Sequence, residues 1–273
     1  SEGDCTVRVP VESYDGRGQL AISFCYFFSD TATTETTRRS FTANVSHELR
    51  TPMTTIGGFI DGILDGTIPD DKRDDYLKIV SQEIKRLSRL VRSMLNIARI
   101  EAGELEIKPD LFDVNDTVIR TVFTFEQPLE AKNIEVRGLD HGKVMVEADP
   151  DLIHQVIYNL IENAVKFASE SGYIEIGYTE DDAATSVSIK NSGDGIPKDE
   201  IPHVFDRFYK TDKSRSRDKG GAGLGLHIVR SIINLHGGDI IVRSVEGEYC
   251  EFVFTIPKPQ KKGKKKIADP SEN

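Results

Sequence analysis

His47 stands out for its chemistry, because a predicted helix carries it with the side chain turned to solvent. Apolar residues recur around it every three or four positions, as on the packed face of a helix in a bundle; they are Val45, Leu49, Met53, Ile56, Ile60 and Ile63. His47 lies about 200° of helical rotation from the nearest two and points away from this seam. A neutral imidazole is nucleophilic near pH 7, and the adjacent Glu48 can orient it or accept its proton. A plain solvated histidine is the alternative.

Three polar residues share one face of a second predicted helix, near residues 151–168. Asn159, Asn163 and Lys166 are spaced by four and by three positions, so they line up on one side of the helix. An asparagine oxygen is a hard neutral ligand suited to one position of an octahedral Mg²⁺, and a lysine one turn away can meet phosphate charge. The stripe therefore predicts a metal–phosphate site, with an ordinary solvated helix face as the alternative.

Two glycine-rich stretches add to this chemistry. The segment Asn191 to Pro197 follows a predicted strand, and the segment Gly220 to Leu226 opens a predicted helix. The free N–H groups and the dipole at the start of that helix suit a polyphosphate. Neither stretch is a Walker or a Rossmann signature, because no G-K-[ST] is present and no early strand leads straight into a glycine loop.

In this order and spacing, these segments resemble the sequence boxes of sensor histidine kinases. The run Ser46 to Pro52 resembles the H-box. The pair Asn159/Asn163, then residues 191–195, 205–208 and 221–225, resemble the N, G1, F and G2 boxes of the histidine-kinase ATP domain. The resemblance covers roughly residues 40–257.

The resemblance implies ATP and Mg²⁺ as cofactors. Carried over position by position, it makes Asn163 the Mg²⁺ ligand and places Asn159 and Lys166 near the phosphates. The other nucleotide-binding positions that it implies are Asn191, Gly193, Gly195, Tyr209, Lys210, Gly221, Gly223, Leu224 and Gly225.

A mobile lid over ATP is the role that the resemblance implies for the segment Lys210 to Ala222, which is rich in Lys, Arg and Ser. Phe205 and Phe208 would anchor this lid. An ordinary solvated loop is the alternative for the segment, and plain packing is the alternative for the two aromatic residues.

Asn191 departs from the family pattern, which usually has an adenine-binding aspartate at this position. An aspartate can only accept hydrogen bonds, whereas an asparagine amide can accept from adenine N6 or, turned over, donate to guanine O6. Unless neighbouring groups lock the amide, we expect weaker discrimination against GTP than with aspartate.

The activity implied by the resemblance is a protein-histidine kinase reaction. ATP would donate its γ-phosphoryl group to His47, and the phosphohistidine would pass it to an aspartate of a response-regulator receiver domain. Positioning and charge neutralisation matter most for such a transfer. Thr51, one turn beyond His47, could hold a water against the regulator's phosphoaspartate, which makes phosphatase activity a further expectation. The catalytic residues predicted are thus His47, Glu48 and Thr51.

Two other functions stay open at this stage. A hydrolytic ATPase of the gyrase and heat-shock-chaperone kind would place a glutamate base where Asn159 stands, and Glu162 lies close by. A catalytically silent pseudokinase scaffold would account for Asn191. ATP-dependent labelling separates the three, because they give acid-labile phosphate on the protein, free phosphate only, or neither.

The elements that must position these residues begin with a helical hairpin over residues 37–103. The first helix should bend just beyond His47, because Pro52 cannot donate to the carbonyl of Glu48, and it should end near Gly66. Asp70 should cap a second helix that Gly103 stops. Its seam is Val80, Ile84, Leu87, Val91, Met94 and Ala98, and Leu90, Leu95 and Ile97 widen the apolar stripe. Because two helices leave much of this surface wet, we expect a homodimer with a four-helix bundle.

Residues 104–257 predict an ATP-binding domain of mixed helices and strands. Strands are predicted at 134–138, 144–147, 173–179, 186–190, 239–245 and 249–256, and helices near 114–131, 151–168 and 223–236. Asp149 followed by Pro150 predicts a capped helix start. The expected fold is a two-layer α/β sandwich with helices over one face of a mixed sheet, of the Bergerat type that the resemblance implies.

The composition and the two terminal segments give the remaining expectations about partners and cellular location. The formal net charge of −10 disfavours nucleic acid as a partner, and three widely spaced cysteines favour a reduced, cytosolic compartment. No apolar run is long enough to span a membrane. Residues 1–36 resemble half of a HAMP linker, which would imply an upstream transmembrane sensor and a cytoplasmic kinase portion, or they are a disordered leader. Residues 258–273 are predicted to be a disordered basic tail.

Overall fold

The computed structural model describes residues 43–211 and 223–259. The chain divides into two compact units between Arg89 and Leu90. The predicted linker or leader over 1–36, and the tail beyond residue 259, lie outside the described residues. Across the described part, no helix combines the length and apolarity that a membrane span needs.

The first unit is a helical hairpin. Residues 43–64 form helix α1, a 3₁₀ turn covers Asp70–Lys72, and helix α2 runs over Arg73–Glu101, extending into the second unit. The connection is held by the Ile68 N–H, which donates to the Gly62 carbonyl at 2.8 Å. The rings of Phe59 and Tyr76 meet across the hairpin with centroids 5.0 Å apart.

The predicted capping role of Asp70 is wrong. Asp70 lies inside the 3₁₀ turn, whose N-cap is Pro69 without a side-chain cap. Its carboxylate pairs instead with the Arg73 guanidinium, because the 3₁₀ turn brings residues three apart onto one side. The C-terminal end of α2 is as predicted, because the helix ends at Glu101. The Glu104 N–H donates to the Arg99 carbonyl at 2.9 Å and so caps this end.

The second unit contains a five-stranded sheet in the order β2-β4-β5-β7-β6, with β2 and β4 parallel and the other pairs antiparallel. Its strands are β2 (Glu135–Arg137), β4 (Tyr173–Glu180), β5 (Ala184–Ser192), β6 (Ile240–Val245) and β7 (Tyr249–Pro257). A two-stranded sheet pairs β1 (Asp110–Asp113) with β3 (Met145–Ala148). The helices are α3 (Val114–Phe123), α4 (Glu126–Ala131), α5 (Pro150–Phe167) and α6 (Gly225–Leu235).

Alternating side chains build the core of this unit. Along β5 and β7 every second residue is buried, which is the period-2 pattern of a sheet covered on one face. Helices α5 and α6 supply the facing layer through buried apolar residues, which include Ile153, Val156, Ile157, Leu160, Ile161, Ala164, Ile228, Val229, Ile232 and Ile233. The predicted α/β sandwich with a mixed sheet is therefore confirmed.

Two details of this unit differ from the sequence prediction. The predicted helix near 114–131 is two helices, because Pro128 has no N–H for the carbonyl of Thr124 and the chain bends at Thr124 and Phe125. Strand β1 was not predicted at all. The cap predicted for α5 is confirmed, since the Asp149 carboxylate accepts from the N–H groups of Asp151 and Leu152.

Candidate functional site

His47 lies exposed on α1, as the apolar spacing around it predicts. The Thr51 hydroxyl donates to the His47 carbonyl across 3.3 Å, one helical turn away. This bond uses the hydroxyl proton, so the oxygen of Thr51 presents lone pairs as an acceptor. Pro52, next to Thr51, is buried.

Glu48 is held from the second helix of the hairpin. Its carboxylate lies 3.6 Å from the Arg86 guanidinium on α2, and both side chains are about one-fifth exposed. Arg86 also lies 3.4 Å from Glu83. The Glu48 carboxylate next to His47 is thus held to α2 by a partly buried network of ion pairs. The His47 side chain itself lies outside the apolar interior of the hairpin.

The polar stripe on α5 lies where the sequence predicts it. Asn159, Asn163 and Lys166 are all half-buried on one helix face. The Nδ2 atom of Asn159 is buried and has no hydrogen-bond partner among the residues that the structure describes. Its Oδ1 lies 3.8 Å from where a Cβ on Gly225 would stand, so the stripe meets the start of α6. The Lys166 ammonium lies 5.2 Å from the centre of the Phe167 ring.

Asn191 is the last residue but one of strand β5 and is only 5% exposed. Its Nδ2 donates to the Ser192 carbonyl at 3.0 Å. The next residue but one, Gly193, has φ 150°, and a Cβ there would overlap the Phe167 carbonyl oxygen at the end of α5. Only glycine lets this loop lie so close to the helix end. Gly195 follows in the same loop.

The chain segments that flank the predicted lid meet at one point, and residues 212–222 of the lid lie outside the described residues. The Phe208 N–H donates to the Gly223 carbonyl at 2.9 Å. Gly223 has φ 68°, and a Cβ there would lie 2.7–2.8 Å from backbone atoms of Phe208 and Tyr209. Phe208 itself has φ 60°, an uncommon conformation for a residue with a side chain. Tyr209 and Lys210 are half-buried, and Leu224 precedes the first turn of α6; Gly221 lies outside the described residues.

Phe205 packs into the core next to the start of this segment. It is buried, its ring lies 6.2 Å from that of Phe252, and the Arg230 guanidinium lies 5.6 Å from its ring centre. His227 on α6 reinforces the connection, because its Nδ1 donates to the Phe205 carbonyl at 3.1 Å and its Nε2 accepts from Arg207 Nε at 3.1 Å. Burial lowers the pKa of His227, so the ring stays neutral in this role.

Lys132 is a residue of the site that sequence reasoning missed. Its ammonium donates to the carbonyls of Val165, Lys166 and Ala168 at 2.9, 2.8 and 3.5 Å. These carbonyls end α5, where helix oxygens have no partner within the helix. Lys132 therefore holds the helix end against which the Gly193 loop packs. Nothing in its local sequence signals this, because the contact joins residues more than thirty positions apart.

Replacing Lys132 by Met should lower the free energy of unfolding by about 1–3 kcal/mol, because the carbonyls of the buried Val165 and Ala168 and the half-buried Lys166 lose a charged donor. Urea denaturation followed by circular dichroism measures the change. Lys143→Met is the matched control, since Lys143 is exposed, and it should stay within about 0.5 kcal/mol of the unmodified protein. Equal stability of the two variants would show that the Lys132 contacts contribute nothing.

These residues fit a nucleoside polyphosphate with Mg²⁺. The start of α6 has no side-chain cap, so its first N–H groups remain available to an anion. The buried Nδ2 of Asn159 is a donor in need of an acceptor. Asn163, one turn further along α5, offers a neutral oxygen of the kind that Mg²⁺ takes. Asn191, at the end of β5, offers a buried polar group to a base.

Two family models match the chain. The His Kinase A (phospho-acceptor) domain matches residues 37–103, and the histidine kinase-, DNA gyrase B- and HSP90-like ATPase matches residues 148–260. The second description covers hydrolytic relatives as well as kinases. The phospho-acceptor match is therefore the one that favours a histidine kinase over a hydrolytic ATPase.

Two named relatives are consistent with the phospho-acceptor match. Sensor histidine kinase WalK of Bacillus subtilis is 34% identical over 250 residues, which are 90% of this chain and 41% of WalK. Sensor protein SrrB of Staphylococcus aureus is 36% identical over 224 residues, which are 82% of this chain and 38% of SrrB. The chain thus spans about two-fifths of the length of these relatives.

Solved structures show the same architecture. Acinetobacter baumannii histidine kinase AdeS matches with a TM-score of 0.65 and 27% identity, over 77% of this chain and 97% of the AdeS chain. Histidine kinase ThkA, in its complex with the response regulator protein TrrA, matches with a TM-score of 0.62 and 31% identity, over 82% of this chain and 62% of that one.

A phospho-acceptor hairpin followed by an ATPase-type α/β domain defines the class of histidine kinases. Within that class, the chain belongs to the sensor histidine kinases of two-component systems.

Proposed function

We propose that this chain phosphorylates His47 from ATP and passes the phosphoryl group to an aspartate of a response-regulator receiver domain. The observation that carries the proposal is the exposed, helix-borne His47 within the phospho-acceptor match. The ThkA complex with TrrA supports a response regulator as the class of partner.

In the first step, the unprotonated nitrogen of the His47 imidazole attacks the γ-phosphorus. An N–P bond forms, the bond from phosphorus to the bridging oxygen breaks, and ADP leaves with that electron pair. The second ring nitrogen then loses its proton, for which Glu48 is the nearest base in sequence. The pairing of Glu48 with Arg86 fixes where this carboxylate lies on the hairpin. In the second step, the regulator carboxylate displaces the imidazole from phosphorus.

The second unit has a binding and positioning role in this proposal. The start of α6, Asn159 and Lys166 would hold the phosphates, and Asn163 would hold Mg²⁺. When bound, the ion neutralises charge on the phosphate oxygens. The end of α5 is fixed by Lys132, so the stripe is presented on a rigid helix.

Incubation of the purified chain with γ-labelled ATP tests this function. Label on the protein that is lost in acid and kept in alkali is the expected result, since phosphoramidates hydrolyse in acid. Free phosphate without labelled protein would instead indicate a hydrolytic ATPase. Neither product would indicate a scaffold.

Thr51→Ala should keep autophosphorylation within about twofold and lose most dephosphorylation of a phosphorylated regulator. In the structure the Thr51 hydroxyl donates to the His47 carbonyl, which leaves its oxygen free to accept from a water. Phosphate release from a phosphorylated receiver domain measures the loss, and Thr51→Ser, which keeps the hydroxyl, should restore it. Equal loss of both activities in Thr51→Ala would mean that Thr51 shapes the helix near Pro52.

The hairpin should form a homodimer. Leu77, Ile84 and Val91 follow one another on α2 at seven-residue spacing and are 41%, 49% and 41% exposed. Met53 and Leu64 on α1 are exposed by 61% and 79%. A heptad stripe of this kind is typical of a helix that packs in a bundle. The simplest way to bury these exposed apolar residues is packing against a second copy of the chain. Sedimentation of the chain as a monomer at micromolar concentration would contradict this.

We further propose that the chain is the cytoplasmic portion of a membrane sensor. The relatives that it matches are sensor proteins more than twice the length of the matched part. Fractionation of cells with an antibody against this chain tests the proposal, since recovery of the full-length protein wholly outside the membrane fraction would contradict it.

A further inference from the structure

We propose that His227 is a positioning residue for ATP, because it holds the chain that precedes the predicted lid against the first turn of α6. The inference deepens the proposed function and rests on it, since the start of α6 is where the phosphates would bind. His227 is not among the positions that the family resemblance implies for the site. It acts through its two partners, Phe205 and Arg207, and not by touching the nucleotide.

The two nitrogens of the His227 ring have partners of opposite kind. Nδ1 lies 3.1 Å from the Phe205 carbonyl oxygen, which can only accept, so Nδ1 carries the proton. Nε2 lies 3.1 Å from Nε of Arg207, which can only donate, so Nε2 is the acceptor. The neutral ring with its proton on Nδ1 is thus the one form that satisfies both partners. Burial favours this form, because it lowers the pKa of the ring.

Both partners belong to one short segment that leads into the predicted lid. Phe205 is 8% exposed, and its ring packs beside that of Phe252 on β7, 6.2 Å away. Three residues further on, the Phe208 N–H donates to the Gly223 carbonyl at 2.9 Å, just before α6 begins. His227, the third residue of α6, therefore gives the segment a second attachment, which comes from within the helix.

This second attachment determines where the predicted nucleotide contacts lie. Tyr209 and Lys210 follow directly on the held segment, and the uncapped start of α6 lies within two residues of His227. If the segment were free to move, it would have to be ordered when ATP binds, and the entropy lost would weaken the affinity. Because His227 holds the segment in advance, it should affect the binding of ATP more than the transfer of its phosphoryl group.

Initial rates of His47 labelling at varied ATP concentration, with Mg²⁺ in excess, test the inference. His227→Leu removes both hydrogen bonds and keeps a residue that suits a helix. Its KM for ATP should rise about five- to 30-fold, the range expected for one to two lost hydrogen bonds, while the maximal rate stays within about threefold. An unchanged KM would overturn the inference, whatever happens to the maximal rate. Partial unfolding, by contrast, lowers the active fraction and hence the maximal rate but leaves KM unchanged.

His227→Gln is the conservative variant, because its amide offers both an N–H donor and an oxygen acceptor. It should bring KM back to within about threefold of the unmodified chain. A KM as high as that of His227→Leu would overturn the inference, since the packing of the ring and not its hydrogen bonds would then control the affinity. His154→Leu is the matched control, because His154 is an exposed histidine on α5, and its KM should stay within about twofold.

Arg207→Met tests the route of the effect. If His227 acts partly by holding Arg207, the two substitutions are not independent, because they remove the same hydrogen bond. The factor by which His227→Leu raises KM should then be less than half as large in the Arg207→Met chain as in the unmodified chain. A factor of half or more would overturn the route through Arg207.

Failure of this inference can be told apart from failure of the proposed function. Labelling of His47 with the same KM in the unmodified chain and in His227→Leu would overturn the inference alone. If ATP binds but does not label His47, the proposed function fails, and the Kd of ATP takes the place of KM in the same comparison. No binding of ATP would overturn both.

Discussion

His47→Gln is expected to abolish labelling of the protein by ATP, a loss limited only by detection, while ATP affinity stays within about twofold. Glutamine keeps a polar side chain of similar reach on α1, but its amide nitrogen has no nucleophilic lone pair. His47 is exposed, so the change removes no buried contact and should not unfold the helix. It lies in the first unit, whereas the proposed nucleotide-binding residues lie in the second.

The measurement is γ-labelled ATP incorporation together with nucleotide binding by the same preparation. His154→Gln is the matched control, since His154 is also an exposed histidine on a helix, and it should label normally. Acid-labile phosphate that persists on His47→Gln would falsify the assignment of His47 as the acceptor.

Asn163→Asp should slow autophosphorylation by about 100-fold. This is the loss of rate expected when reacting groups are misplaced by about 1 Å. A carboxylate in place of the amide adds negative charge next to the phosphates and changes how the metal is held. Because Asn163 is half-buried on the polar side of α5, the core contacts of the helix remain.

Initial rates of His47 labelling measure the effect, and thermal unfolding of the same variant checks the fold. Asn234→Asp, which adds the same charge on an exposed part of α6, should leave the rate unchanged within about twofold. Normal autophosphorylation by Asn163→Asp would mean that Asn163 does not hold the metal.

Most of the fold of the second unit could be predicted because its strands and helices carry their own periodic patterns. Strands β4, β6 and β7 begin within one residue of their predicted starts, since more and less buried residues alternate along β6, along β7 and over the first half of β4. Strand β1 could not be predicted in this way. It has four residues and exists only through pairing with β3, as in Asp113 opposite Met145, which is a contact between distant parts of the chain.

The candidate site was predictable where one element carries the whole motif. Asn159, Asn163 and Lys166 lie together on α5, and Gly193 and Gly223 stand at positions that no larger residue could fill. Lys132 and His227 were missed, because each acts on backbone carbonyls of another element. The orientation of the Asn191 amide was also out of reach, since it depends on the Ser192 carbonyl and not on residue type.

The hydrogen bond between the residues that flank the predicted lid has a consequence for how the length of the chain between them can vary. The Phe208–Gly223 hydrogen bond joins the chain on the two sides of residues 209–222. The entropy of closing a chain segment between two joined ends grows only with the logarithm of its length, by about 0.6 kcal/mol for each doubling. Insertions or deletions between these two anchors should therefore cost little folding free energy, so that the length of this segment is free to change while the start of α6 keeps its place.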